Sequence, residues 1–261
     1  MRAFGRRFPR FAAPLNQHHH QHHHQHHHHH HHQHPRHHHH HRAMSSTASK
    51  IVLTPGSHGV VPLPGLTAAA AAAVSAALSE NHARNHIFFN DDGFHNHVVH
   101  YLLALYALGA PAGVIEAGYA RESAYQRALA ALAVPPEHDL DEPAQWDGAL
   151  GRAECYVPFL RFFAREIEQR GVDGALLRHL FAATPRAQDL LARLLSGFLH
   201  PFIHVGYGLE FGLPAVVAEG LAMAAVEKNR LAGLLLPAEA AAKEVRGGLF
   251  LSSRSFFLQP P

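Results

Sequence analysis

The sequence predicts an all-α protein. A single multi-helix domain with Pro/Gly-rich connections is expected over residues 44–261, behind a disordered His-rich leader over residues 1–43. Three observations predict it. Apolar residues recur at helical spacing, most clearly where Ala187, Leu190, Leu191, Leu194, Leu195, Phe198, Leu199 and Phe202 follow an i, i+3, i+4 template. Proline and glycine fall at the joints between such stretches, as at Gly109, Pro111, Gly171, Pro185 and Pro214. Strands and helices do not alternate, and there is no dinucleotide fingerprint, P-loop or G-x-S-x-G element.

Charge and cysteine usage narrow the class further. Residues 1–43 hold 19 of the 29 histidines, six of the 22 Lys+Arg and none of the 20 Asp+Glu. The leader therefore carries a formal +6 and the remainder −4. The pI near 8.9 describes the leader, so it gives no ground for nucleic-acid binding. The only cysteine, Cys155, excludes a disulfide framework and a cysteine-built zinc site, and it suits a reducing compartment. A cytoplasmic protein is expected. The alternative is mitochondrial import, from the arginine-bearing, acid-free residues 1–17. Met44-Ser-Ser-Thr reads as an ordinary start and the His/Gln run before it as translated leader repeat. No apolar run reaches the ~18 residues of a membrane span. Val98–Ala112 is broken by His100 and Tyr101 and reads as a core helix.

Taken in order, residues 50–61 are β-branched and turn-rich, a strand or extended arm closed by Pro62 and Pro64. An alanine-rich helix follows to about Glu80, with Thr67 as N-cap. Asp91-Asp92-Gly93 is a turn, and a helix is expected from Phe94 or His95 to Gly109. Pro111 opens the next helix. Residues 134–143 are an acidic linker pinned by Trp146 and Leu150. Tyr156–Gln169 is helical, with Val157, Leu160, Phe163 and Ile167 inward and Glu166 outward, and Gly171 stops it. Val172–Ala183 is a separate short helix with His179 at the surface. One amphipathic helix runs from Pro185 to Phe202, another from Pro214 to about Leu236, and the tail from Gly247 has no cap.

The chemistry gathers in two stretches. Residues 86–109 carry His86, His95, His97 and His100, and residues 197–227 carry His200 and His204 together with Tyr207, Glu210 and Glu219. His97 and His100 are i,i+3 neighbours, with Tyr101 continuing their face, and His200 and His204 are i,i+4. Both stretches are apolar enough to be buried, so these imidazoles need partners. The expected arrangement has the two helices facing each other, with the histidines, Tyr207 and one glutamate between them. Three readings remain open on the residues alone. The imidazoles act as acid/base or oxyanion groups toward an aromatic phenol. They hold zinc or iron with a carboxylate. Or they are satisfied core residues, the reading assigned to His58, His82, His138 and His179 individually. Glu219 is expected to pair with an arginine or a backbone group. Cys155 is expected to be an unreactive core thiol. H-E-x-x-H and Glu-x-x-His pairs are absent, so no metal is assigned.

His86-Ile-Phe-Phe-Asn90, Gly93-Phe-His-Asn-His-Val-Val-His-Tyr-Leu-Leu-Ala-Leu-Tyr-Ala-Leu-Gly-Ala110, His200-Pro-Phe-Ile-His-Val-Gly-Tyr-Gly-Leu-Glu-Phe211 and Ala218-Glu-Gly-Leu-Ala222 resemble the questin oxidase-like family of fungal proteins. The resemblance covers about Ile51 to Glu227. It implies an oxidoreductase of secondary metabolism: Baeyer–Villiger-type oxygen insertion that opens an anthraquinone-like aromatic polyketide. It further implies a small aromatic substrate, O2, NADPH, no flavin domain, and a separate reductase as a candidate partner. Carried over to matching positions, His97, His100, His200 and His204 become the catalytic candidates. His86, Asn90, His95, Tyr101, Tyr207 and Glu210 become the substrate-binding ones. Because the tail from Gly247 lacks the resemblance, a C-terminally incomplete domain is expected. A non-catalytic family member, a binding protein or a His/carboxylate metalloprotein is the alternative.

Overall fold

Every residue from Ala215 to Val226 is buried, a glutamate among them, and the rest of the fold packs around this segment. The computed structural model of the protein describes residues 46–129 and 138–255, with side chains as far as residue 243. The leader and residues 130–137, which include part of the expected acidic linker, lie outside the described residues.

The described residues form helices α1 (Ala68–Arg84), α2 (Val98–Ala107), α3 (Ala112–Ser123), α4 (Pro143–Ala149), α5 (Tyr156–His179), α6 (Pro185–Leu194), α7 (His200–Glu210), α8 (Pro214–Val226) and α9 (Ala232–Ser255). They contain no strand, only isolated bridges such as Phe88 with His95. The all-α expectation is met.

Local chemistry sets most of the helix starts. Thr67 caps α1 by accepting from the Ala70 N–H, and Thr184 caps α6 by accepting from the Ala187 N–H. Proline occupies the first turn of α4, α6, α7 and α8, where it forfeits no helical hydrogen bond.

Two apolar cores meet at α8. One is built from α1, α2, Ile115 and the first turn of α8, around Val74, Leu78, Leu102 and Leu103. The other joins α4, α5, α6 and the rest of α8, around Trp146, Phe159 and Phe163. Helices α7 and α8 form an antiparallel hairpin whose axes approach through two glycines. A Cβ on Gly208 would stand 2.7 Å from the Val217 nitrogen, and one on Gly220 would stand 2.8 Å from the Val205 nitrogen. That close approach brings Glu219 against His204.

Several boundaries differ from the sequence reading. Of the two forms expected for residues 50–61, strand or extended arm, the structure has the extended arm, held where the Leu53 N–H donates to Ser75 and Tyr106 donates to the Thr54 carbonyl. Helix α2 starts at Val98, because the Asn96 side chain accepts from the Val98 N–H and His95 instead bridges to Phe88. At Gly171 the expected stop holds: its φ of +72°, which glycine tolerates, breaks the helical backbone inside α5, and the second half ends at His179. The kink folds the second half back, so His179 is buried rather than at the surface. It meets Glu166, which is likewise buried rather than outward. The long amphipathic stretch from Pro185 breaks after Leu194, and the α8 stretch ends at Val226. The helix beyond it continues through Gly247 to Ser255. Periodicity ran through these breaks because side-chain polarity does not register a backbone turn. Among the described residues no helix is long and apolar enough to cross a membrane. Cys155 is a buried free thiol whose pKa burial pushes up, as its expected inert role requires.

Candidate active site

Helices α2 and α7 pack side by side, and the segments leading into each deliver the remaining imidazoles. Before α7, Gly197, Phe198 and Leu199 all take positive φ, at 56°, 52° and 67°. For phenylalanine and leucine this conformation costs on the order of 1–3 kcal/mol each, and such strain collects at functional sites. The turn aims the Gly197 carbonyl at His200, whose Nδ1–H donates to it at 2.7 Å. It also leaves Phe198 almost wholly exposed, followed by half-exposed Leu199 and Phe202. Gly197 itself lies against Glu227 and His95, where a Cβ would come within 2.7 Å of a carboxylate oxygen.

Five histidines converge here. Nε2 of His97 and Nε2 of His200 are 2.7 Å apart, and Nε2 of His100 and Nδ1 of His204 are 3.1 Å apart. His95 stacks on His200 at 4.3 Å between centroids and donates from Nε2 to Glu227 at 3.0 Å. Tyr207 stacks on the other side of the cluster, 5.3 Å from His100. Behind His204 stands Glu219. It accepts from His204 Nε2–H at 2.8 Å and from His82 Nδ1–H at 2.6 Å. A continuous line therefore runs from His82 on α1 through Glu219 and His204 to His100.

Burial lowers the His100 pKa to about 2, helped by neighbouring His204, His97 and His200. Burial and the adjacent imidazoles also lower His97 and His200, with the Gly197 carbonyl opposing the shift at His200. These three rings are neutral at neutral pH. For Glu219, burial disfavours charge, but the hydrogen bonds from His204 and His82 outweigh it and hold the carboxyl at about 2. For His82, burial is likewise outweighed by the Glu219 bond, and its pKa rises. The result is a row of three neutral bases, His97, His100 and His200, with the Glu219 carboxylate behind them.

The structure thus brings together His95, His97, His100, His200, His204 and Tyr207 from the sequence-predicted set. The others lie apart. His86 is fully buried beneath Tyr156, donates to the Ala153 carbonyl and accepts from the Phe88 N–H. Asn90 closes its own turn by accepting from the Phe94 N–H. Tyr101 lies under the Arg121 guanidinium between α2 and α3. Glu210 accepts from the Val60 N–H on the extended arm.

Three residues of the site were missed or given another partner. Glu219 pairs with histidines rather than with arginine. Its isolation in an otherwise apolar helix was the usable signal. Glu227 and His82 carried none, since His82 meets Glu219 across 137 residues of chain.

Comparison with known proteins now adds a lineage. Residues 94–255 match the profile of the questin oxidase-like family, more than half of the chain. The chain belongs to the questin oxidase-like family. The match extends past Glu227, where the sequence reading ended it. Among its relatives are the Baeyer-Villiger oxidase ptaJ of Pestalotiopsis fici, 33% identical over 78% of this chain and 46% of its own, and the Baeyer-Villiger monooxygenase AacuH of Aspergillus aculeatus, 35% identical over 75% and 41%. The questin oxidase of Aspergillus terreus is 31% identical over 69% and 40%. The chain spans less than half the length of these curated relatives. Every histidine of the cluster lies inside the questin oxidase-like match, and His82 lies before it.

Proposed function

We propose that this protein is an oxidoreductase that inserts oxygen into an anthraquinone-like aromatic polyketide by Baeyer–Villiger-type chemistry and so opens a ring. The observation that carries the reading is the pair of His–His contacts at the start of α7, beside the exposed rings of Phe198 and Phe202. A neutral imidazole there takes the proton of a reduced, phenolic substrate. The electron-rich anion then forms a carbon–oxygen bond with O2, and a second imidazole N–H stabilises the peroxide. The peroxide adds to the neighbouring carbonyl, and a ring carbon migrates to the outer oxygen as the O–O bond breaks. The inner oxygen stays on the carbon that met O2 as a hydroxyl. It leaves as water when that C–O bond breaks by elimination with a hydrogen of the reduced substrate. The two electrons come from the reduced substrate.

The resemblance brings NADPH with it, but the described residues offer it no cradle. The glycine cluster Gly206–Gly212 lies largely inside α7, where its backbone N–H groups are committed to the helix. No step is therefore routed through a bound dinucleotide here. Reductant acts on the substrate beforehand, through a separate reductase.

The test is oxygen uptake with a chemically reduced hydroxyanthraquinone. His97→Phe and His204→Phe should each abolish it while helix content by circular dichroism is unchanged. Full activity in both variants would overturn the proposal.

A metal-dependent reading has one observation in its favour. The outer nitrogens of His200 and His204 are held by a carbonyl and a carboxylate, the support that metal-ligating imidazoles receive. Against it, the 2.7 Å His97–His200 contact is shorter than the roughly 3 Å between two imidazole nitrogens on one ion. No three His, Cys, Asp or Glu among the described residues are arranged to hold an ion. Elemental analysis of the purified protein decides between the two.

A further inference from the structure

The geometry points to Glu219 and the Gly197 carbonyl as positioning groups that lock the tautomers of His204 and His200, leaving Nδ1 of His100 and of His97 as the proton-accepting atoms of the site. This rests on the acid/base reading above and deepens it, since that reading names no particular nitrogen.

Each chain of contacts has one end that accepts only. A carbonyl oxygen cannot donate, so His200 carries its proton on Nδ1. In the neutral ring Nε2 is then a lone pair, and His97 must supply the proton between the two Nε2 atoms. Neutral His97 is left with its lone pair on Nδ1. The second chain runs the same way from a different anchor. An ionised Glu219 accepts, so His204 carries a proton on Nε2. With His204 neutral, its Nδ1 accepts from His100 Nε2–H, and the lone pair of His100 moves to Nδ1.

Glu219 takes its second hydrogen bond from His82, which lies on α1 and is partly open to solvent. His82 can thus hold the balancing positive charge and leave His204 neutral. The two anchors act on opposite nitrogens, Nδ1 of His200 and Nε2 of His204. Yet both chains end at the start of α2, on His97 just before it and His100 in its first turn, with the same result, an Nε2–H facing its partner and Nδ1 as the nitrogen each ring has to offer a ligand. On this account Glu219, which no substrate atom need touch, decides which atom of His100 is basic.

The test is a long-range proton–nitrogen NMR correlation on the full-length protein with 15N-labelled histidine. It reports for each ring which nitrogen carries the proton. Signals are assigned by their loss in His97→Phe, His100→Phe, His200→Phe and His204→Phe. The expected pattern is a proton on Nε2 of His97, His100 and His204 and on Nδ1 of His200. A wild-type spectrum with His100 or His97 protonated on Nδ1 overturns the inference. In Glu219→Leu, His204 and His100 should lose their single tautomer and become mixtures, while the His97–His200 pair keeps its pattern as an internal control. An unchanged His204 and His100 in that variant overturns the role of Glu219. If the variant does not fold, the wild-type pattern decides alone. The expected tautomers without oxygen uptake would remove the proposed reaction but leave this assignment standing.

Discussion

His179 and His204 each donate from Nε2 to a buried glutamate at 2.8 Å, Glu166 in one case and Glu219 in the other. The surroundings then diverge. Glu166 also receives Arg170 at 3.0 Å and Arg178 at 3.3 Å, so its charge is balanced at the surface. The His179 ring is enclosed by Trp146, Phe162 and Phe163. Glu219 has no arginine in contact among the described residues. It bridges two histidines, and the far nitrogen of His204 leads on to His100 and the open cluster. A buried His–Glu pair is thus not in itself a site. What distinguishes the second pair is where the other imidazole nitrogen leads, and whether the carboxylate is neutralised by a group that can pass a proton on.

The sharpest way to break the comparison is kinetic. Replacing His204 with Phe should lower oxygen uptake by roughly 10²–10⁴-fold, the usual range for a lost acid/base group. His179→Phe should leave turnover per folded molecule unchanged and show only as lower stability. Equal losses in both would erase the distinction drawn here. Next in size, Trp146→Ala removes the wall of the His179 box and should cost about 3–5 kcal/mol in urea unfolding, again without altering oxygen uptake per folded molecule.

A pH series separates the two regions further. His86, His97, His100, His179 and His200 all have folded pKa values below 6.5, with His100 lowest at about 2. Below pH 6.5 the unfolded chain binds more protons than the folded one. Stability contributed by these groups is therefore full above 6.5 and declines as pH falls toward each folded value. His82 has the opposite sign: its contribution is full below 6.5 and is lost as pH rises through its elevated pKa. The carboxyl of Glu219 adds a loss only as pH falls from the ordinary carboxylate range toward about 2. Denaturation midpoints from neutral pH to about pH 4 should fall steadily, and His100→Phe should flatten that slope more than His179→Phe does.

The smallest effect is reserved for Glu210. Glu210→Ala should cost no more than ~1 kcal/mol by freeing one backbone N–H on the arm, and leave oxygen uptake unchanged. A large loss of activity would restore it to the site.

Much of this was legible along the chain. The alanine helix and its Thr67 cap, the buried helix after Asn96 and the two histidine stretches facing each other all follow from short-range rules. So does the stacking partner Tyr207, three residues after His204 on the same helix. Legibility failed in two ways. A boundary was lost where the backbone turned without a change in polarity, at Gly197–Leu199, whereas glycine marked the break at Gly171. Partners were lost where they came from another helix. Glu166 looked outward because it falls off the stripe of Val157, Leu160, Phe163 and Ile167, yet the kink at Gly171 returned His179 to cover it. His82 sat among alanines with no local sign of its acid.

The sequence by itself determined the all-α class and the residue types that make the chemistry, because periodicity, propensity and spacing act over one or two turns; the family followed from the resemblance of its histidine-bearing segments. The tertiary structure alone decided which histidine stands beside which carboxylate. That choice depends on how closely two helices approach, here through Gly208 and Gly220, and on which face a left-handed turn presents. Neither quantity is carried by the residues that end up in contact.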